Sequence, residues 1–125
     1  VIAACPRVTV TSRLVANFDR EEARRSFKRL LSQGIEFDAV FAHNDAMLLG
    51  TIEALEETGY PRPKALVGFD AVPAARQAVR EGRMTATIAQ QPEKMGFLAV
   101  QSASGFFRGE TLPDSIPVGL KLIDD

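Results

Sequence analysis

Three short apolar runs of this sequence each end on a polar side chain that can bind hydroxyl groups. The runs stop at Asn44, Asp70 and Gln90. In a chain that alternates strands and helices the strands run parallel, so their carboxyl ends lie along one edge of the sheet, where open α/β sheets bind ligands. An ionised carboxylate accepts hydrogen bonds, and an amide both donates and accepts them. The three side chains therefore predict a site for a small, neutral molecule with many hydroxyl groups.

Phe18 is the fourth candidate, because it follows the first predicted strand and places an aromatic ring at the same edge. The apolar C–H face of a pyranose or furanose can stack on such a ring while the sugar hydroxyls contact the three polar side chains. A site of this kind rejects a ligand that lacks a hydroxyl group, because its buried polar partners would be left unsatisfied.

Each candidate also has a purely structural interpretation. Asp70 could cap the helix that follows it, and Asn44 could belong to a plain turn and cap. Gln90 could be a solvated loop residue, and Phe18 could be the hydrophobic staple of a helix start. We assign Asp45 to helix capping and leave it out of the site, because it stands immediately before the next helix. The coincidence of three polar strand ends favours a binding site.

Catalytic and metal-binding chemistry lacks the residues that it needs. His43 is the only histidine and Cys5 the only cysteine, so the sequence predicts no transition-metal site and no internal disulfide. It contains no nucleophile elbow, no Gly-x-Gly-x-x-Gly turn and no phosphate-binding Gly-Lys-Ser/Thr loop. A phosphoacceptor receiver domain would need an acidic pair after the strand that ends near Leu14 and a lysine within residues 85–90, and neither occurs. We therefore predict a non-catalytic protein without metal or cofactor.

Composition limits the class of protein further. A chain of 125 residues with 46% hydrophobic residues can form one domain core. Its net charge of -1 provides no field to hold a polyanion, so this segment is not expected to bind nucleic acid. No run approaches the roughly 18 apolar residues that span a bilayer. Because the chain begins at Val1, without a Met or a signal peptide, we expect it to be a piece of a longer protein.

Strand and helix signals alternate along the chain and are joined by short connections. We predict a last helical turn at residues 1–4, strands at 8–14, 38–42, 65–69, 85–89 and 118–123, and helices that begin after Asp19 and Asp45 and at Pro73 and Pro92. The run at 65–69 is too apolar for an exposed face, so we place it at the centre of the sheet. The alternation predicts an α/β fold with a doubly wound, mostly parallel sheet.

These segments also resemble a known family. Residues 17–20, 41–45, 67–70, 86–92 and 117–122 are similar to the second lobe of the ribose-binding proteins, among the type 1 periplasmic sugar-binding proteins. The resemblance implies that residues 1–125 are a partial second lobe of a periplasmic-binding-protein-like fold. In that family the matching positions contact the sugar between two lobes that close by a hinge; here they are Phe18, Asn44, Asp70 and Gln90.

The resemblance also shows what this chain lacks. It implies that the first lobe of that family lies outside residues 1–125, together with the first strand and most of the first helix of the second lobe. The helix that follows Pro92 packs on the first lobe in that family, so Met95, Leu98 and Phe106 are expected to have lost their cover. We therefore expect the isolated chain to be unstable, to form a homodimer, or to be held by a swapped element.

The function that the resemblance implies is binding of a monosaccharide, with a pentose such as ribose as the first expectation. The protein would be the periplasmic solute receptor of an ABC sugar transporter and would deliver its ligand to a membrane permease. Sugar-responsive repressors of the LacI type share the fold and two of the strand ends, but they usually carry a Thr-Thr-Val-x-Gln-Pro-like stretch where residues 86–90 read Ala-Thr-Ile-Ala-Gln. The periplasmic sensor domain of a signalling receptor or histidine kinase is a further alternative.

Overall fold

A computed structural model describes residues 5–124 of the chain, so the helical turn predicted at residues 1–4 lies outside the described residues. Strands and helices alternate, as the sequence pattern predicts. The elements are α1 (Arg20–Ser32), β1 (Ala39–Phe41), α2 (Asp45–Thr58), β2 (Ala65–Phe69), α3 (Pro73–Arg80), β3 (Ala86–Ala89), α4 (Pro92–Phe107) and β4 (Lys121–Ile123).

The sheet has the strand order β1-β2-β3-β4. The first three strands are parallel, and β4 pairs antiparallel with β3. The mostly parallel sheet and the central place of β2 are both confirmed. Because β1, β2 and β3 run in the same direction, the residues that follow them meet at one edge of the sheet.

The helix boundaries follow local signals in the sequence. Asp19 caps α1 by accepting a hydrogen bond from the backbone N–H of Glu22 at 2.7 Å. Helix α2 ends at Gly59, whose left-handed φ of 64° closes the helix at little cost for a residue without Cβ. Pro73 opens α3, where a missing N–H costs nothing.

Helices α1, α2 and α3 bury their apolar faces in one core together with β2. The buried side chains of this core are Phe27, Leu30, Leu48, Leu49, Ile52, Ala54, Leu55, Leu66, Ala75, Ala78, Val79 and Met84. Leu66 and Gly68 of β2 are buried, whereas the alternate residues of this strand are only half-buried. One face of the sheet is therefore well covered in the described part of the chain and the other is not.

The strand predicted at residues 8–14 is wrong. This segment is largely exposed and is not part of the described sheet, although its apolar and polar residues alternate. Val8 and Leu14 are 55% and 44% exposed. A strand is held by its ladder with a neighbouring strand, so alternation alone does not form one.

Helix α4 presents apolar side chains to solvent. Gly105 is its only buried residue, and the exposed side chains include Met95, Phe97, Val100, Phe106 and Phe107. Large exposed apolar side chains that form a patch mark sites of protein association. Within residues 5–124, no helix is both long enough and apolar enough to cross a membrane.

Self-association of the isolated chain is the expected result of this exposure. Sedimentation of the purified 125-residue chain should show dimers or larger species whose share grows with concentration. Replacing Phe106 and Phe107 by Ser should shift the distribution toward monomer. Lys94→Ser, also on the exposed surface of α4, is the matched control and should leave it unchanged. A chain that sediments as a cooperatively folding monomer would contradict this prediction.

Candidate functional site

Asp70 and Gln90 meet at the carboxyl edge of the sheet. Asp70 follows β2, Gln90 follows β3, and the Nε2 atom of Gln90 donates a hydrogen bond of 2.6 Å to Oδ1 of Asp70. Asp70 is exposed and Gln90 is half-buried. The N-cap position of α3 belongs to Val72, so the Asp70 carboxylate does not cap that helix. It stays accessible to a ligand.

Asn44 is the N-cap of α2, which is the structural role that the sequence also allowed for it. Its Oδ1 atom accepts a hydrogen bond of 2.9 Å from the backbone N–H of Met47. Its Nδ2 atom points the other way and donates a longer bond of 3.4 Å to the carbonyl of Phe18. The cap fixes the orientation of the amide, so that Nδ2 lies toward the carbonyl of Phe18. Contact with a sugar remains a prediction for this residue.

Phe18 lies beside Asn44 with its ring open to solvent. The residue is 69% exposed, which is inconsistent with a hydrophobic staple packed against α1. The hydrogen bond from Asn44 to its carbonyl ties the turn before α1 to the end of β1. The structure thus brings Phe18 to Asn44 and Asp70 to Gln90, as two hydrogen-bonded pairs at the carboxyl end of the sheet.

Backbone strain marks the same two turns. In residues 5–124 the non-glycine residues with positive φ are Asn17 (45°), Phe18 (60°), Asp70 (105°) and Ala71 (55°). This region is uncommon for residues that carry a Cβ, and such conformations cluster at functional sites. Two of the four residues are predicted ligand contacts and the others are their chain neighbours. No sequence signal indicated this strain.

The assignment of Asp45 to helix capping is wrong. Asp45 is fully buried in the first turn of α2, where its Oδ1 atom accepts a hydrogen bond of 2.7 Å from the hydroxyl of Thr87. Its Oδ2 atom accepts one of 2.9 Å from the backbone N–H of Val72. Gly68 leaves room for this carboxylate, because a Cβ at that position would collide with Oδ1. The one sequence signal for this contact was a polar Thr87 within an otherwise apolar strand.

The environment of Asp45 also changes its acidity. Burial raises the pKa of the Asp45 carboxyl, and the charge of Asp70 acts in the same direction, while the hydrogen bonds from Thr87 and Val72 oppose the rise. Because the pKa is higher in the folded than in the unfolded chain, the contribution of this group to stability is complete below its unfolded pKa. It declines as the pH rises through the folded value.

The side chains that could bind a metal ion are not clustered in the described part of the chain. Across the described residues, no group of three or more His, Cys, Asp or Glu side chains could hold a metal ion. His43 is exposed, and its ring stands edge-on to that of Phe41 with 5.4 Å between centroids. This exposed position fits a residue at the rim of the sheet edge.

Comparisons with known proteins identify relatives of this chain. Residues 1–111 match the periplasmic binding protein domain family. The ribose import binding protein RbsB of Salmonella typhimurium is 37% identical over 120 residues, which cover 96% of this chain and 40% of that protein.

Two solved structures extend the comparison to the fold. An ABC transporter solute binding protein from Bacillus halodurans with bound myo-inositol is 38% identical with a TM-score of 0.74, over 87% of this chain and 38% of that one. A periplasmic solute binding protein from Actinobacillus succinogenes with bound D-allose is 27% identical with a TM-score of 0.81, over 98% of this chain and 43% of that one. The chain thus spans less than half the length of each protein, and the predicted fold class is confirmed.

Proposed function

The chain belongs to the periplasmic binding protein domain family, among its ribose-binding-protein-like members, and from this premise we propose that it is part of the second lobe of a two-lobe monosaccharide receptor. Residues 1–125 would supply one wall of a cleft, and the other wall would come from a first lobe outside this chain. The role is binding and not catalysis.

The Asp70–Gln90 pair is the observation that carries the proposal. An exposed carboxylate with one oxygen held by a neighbouring amide, in a strained backbone, is positioned to accept hydrogen bonds from two adjacent hydroxyls. Phe18 adds an exposed aromatic face and Asn44 adds an amide donor. The set matches what a sugar ring presents, with polar groups at the rim and an apolar face.

A pentose such as ribose is the ligand that we propose first. The support is that the matched relative from Salmonella is a ribose import binding protein. The solved structures with bound D-allose and myo-inositol support the same chemical class of compact polyhydroxylated rings.

Closure of two lobes around the sugar is the proposed mechanism. Contacts that bridge both lobes exist only in the closed state, so ligand binding shifts the population toward that state. The closed form would be recognised by the membrane permease of an ABC transporter, and the protein would act in the periplasm. In the alternative role, as the sensor domain of a signalling receptor, the same closed form would be read by a different membrane partner.

Calorimetric titration of the complete protein that contains this chain tests the proposal. The panel is ribose, allose, galactose, glucose and myo-inositol, with glycine as a non-sugar control. We expect saturable binding of one sugar per protein, strongest for ribose, and no heat of binding with glycine. Absence of binding across the panel would overturn the proposed function while leaving the fold assignment in place.

A further inference from the structure

Three hydrogen bonds connect a buried carboxylate to the turn that carries Asp70. The hydroxyl of Thr87 donates to Oδ1 of Asp45 at 2.7 Å and accepts from the backbone N–H of Ala71 at 3.2 Å. The backbone N–H of Val72 donates to Oδ2 of Asp45 at 2.9 Å. Asp45 and Thr87 are fully buried and Ala71 is nearly so. The network therefore lies in the core, directly below the exposed Asp70.

The direction of each bond in this network is fixed. Thr87 has one hydroxyl proton and uses it toward Asp45, so its oxygen is free to accept from Ala71. Both oxygens of Asp45 face donors, which suits an ionised carboxylate and no other side chain of the same size. An Asn in its place would turn an N–H group toward one of the two donors.

The network also explains how the strained turn persists. Asp70 and Ala71 have φ values of 105° and 55°, a conformation that persists only when its surroundings hold it. Three consecutive N–H groups are held: Asp70 donates to the carbonyl of Ile88 at 2.9 Å, Ala71 to Thr87 and Val72 to Asp45. Every one of these acceptors lies on β3 or on α2. The turn is thus anchored by elements far from it in sequence.

The anchoring leaves the Asp70 carboxylate free for another use. Val72, and not Asp70, is the N-cap residue of α3, and the backbone N–H of Val72 donates to Asp45. The carboxylate of Asp70 instead lies at the open edge and accepts from Gln90.

We propose that Asp45 and Thr87 are positioning residues that hold the Asp70–Ala71 turn in its left-handed form and thereby set the affinity of the site for a polyhydroxylated ligand. This inference rests on the proposed function. Neither residue touches the ligand; both act through Asp70.

The binding test uses Thr87→Val and Thr87→Ser in the complete protein, titrated with ribose. Valine keeps the shape and removes the hydroxyl, so we expect the Kd for ribose to rise about 10- to 100-fold, as when a buried N–H loses its partner. Serine keeps the hydroxyl and should restore the Kd to within about threefold of the wild type. Equal affinities of the Val variant and the wild type would overturn the inference.

A double-mutant cycle separates positioning from general damage to the fold. If Thr87 acts through Asp70, then Thr87→Val should weaken binding less than about twofold further when Asp70 is already Ala, because coupled residues are not additive. The same loss in both backgrounds would mean that Thr87 acts elsewhere and would overturn the inference.

A measurement without sugar keeps the inference distinct from the proposed function. In the ligand-free complete protein, Thr87→Val should accelerate hydrogen exchange at the Ala71 amide well beyond its effect on amides of α1. Asp45→Asn should accelerate hydrogen exchange at the Val72 amide. The Asp45→Asn variant is used instead if Thr87→Val does not fold. Unchanged exchange at these amides overturns the inference even if ribose binds. Accelerated exchange in a protein that binds no sugar supports the turn anchor and overturns the proposed ligand class alone.

Discussion

Asp70→Ala in the complete protein is expected to weaken binding of its sugar by at least about 2 kcal/mol, or roughly 30-fold in Kd. The truncation removes the proposed acceptor of two sugar hydroxyls and also leaves Nε2 of Gln90 without the partner that it has at 2.6 Å. Calorimetric titration with the sugar identified in the panel measures the loss directly. An unchanged Kd would remove Asp70 from the site.

Asp70→Asn is the matched variant for this experiment. Asn tolerates positive φ better than Ala does, so the turn at φ 105° should persist. Its carbonyl oxygen can still accept from Gln90, but an N–H donor replaces the second acceptor. We expect Asn to leave the thermal unfolding midpoint unchanged and still to weaken binding about tenfold, at the upper end of what a lost hydrogen bond contributes. If only the Ala variant lost affinity, the effect would come from the backbone of the turn and not from the carboxylate.

The parts of the fold that sequence predicted correctly are those with local causes. Asp19 and Pro73 each act within one turn of chain, and α1 and α3 begin beside them as predicted. The candidate edge was predictable for a topological reason. Parallel strands place their carboxyl ends together, so Asp70 and Gln90, 20 residues apart, could be paired before their contact was known.

The errors arise where a residue depends on distant partners. Residues 8–14 alternate like a strand, yet strand formation depends on a neighbour that their own sequence cannot specify. Asp45 stands where a cap would stand, but its contact with Thr87 joins positions 42 residues apart. Its cap role belongs to Asn44, one residue earlier. Two adjacent residues at the start of α2 therefore have different roles: Asn44 caps the helix, and Asp45 is buried and holds Thr87.

The crossing of α1 over α2 depends on Gly50, and Gly50→Ala is expected to destabilise the fold by about 1–3 kcal/mol through overpacking. A Cβ at this position would collide with the backbone carbonyl oxygen of Arg20 and lie 3.2 Å from the backbone nitrogen of Arg24. Backbone atoms cannot turn aside as a side chain can, so the helices must separate. Separation would also stretch the ion pairs from Arg20 to Glu53 (2.5 Å) and from Arg24 to Glu57 (2.8 Å).

The change in stability expected for Gly50→Ala is opposite in sign to that of a glycine-to-alanine substitution in an open helix. In an open helix, Gly→Ala stabilises by about 1 kcal/mol because Ala restricts the unfolded chain and favours the helix. Gly96 in α4 is such a position within residues 5–124, since a Cβ there would meet no atom of the described residues within 4 Å, and Gly96→Ala is the matched control. Urea unfolding of the complete protein should therefore show a lower midpoint for Gly50→Ala and an unchanged or higher one for Gly96→Ala. Equal midpoints in the two variants would mean that α1 and α2 can move apart without cost, and that their close approach does not stabilise the lobe.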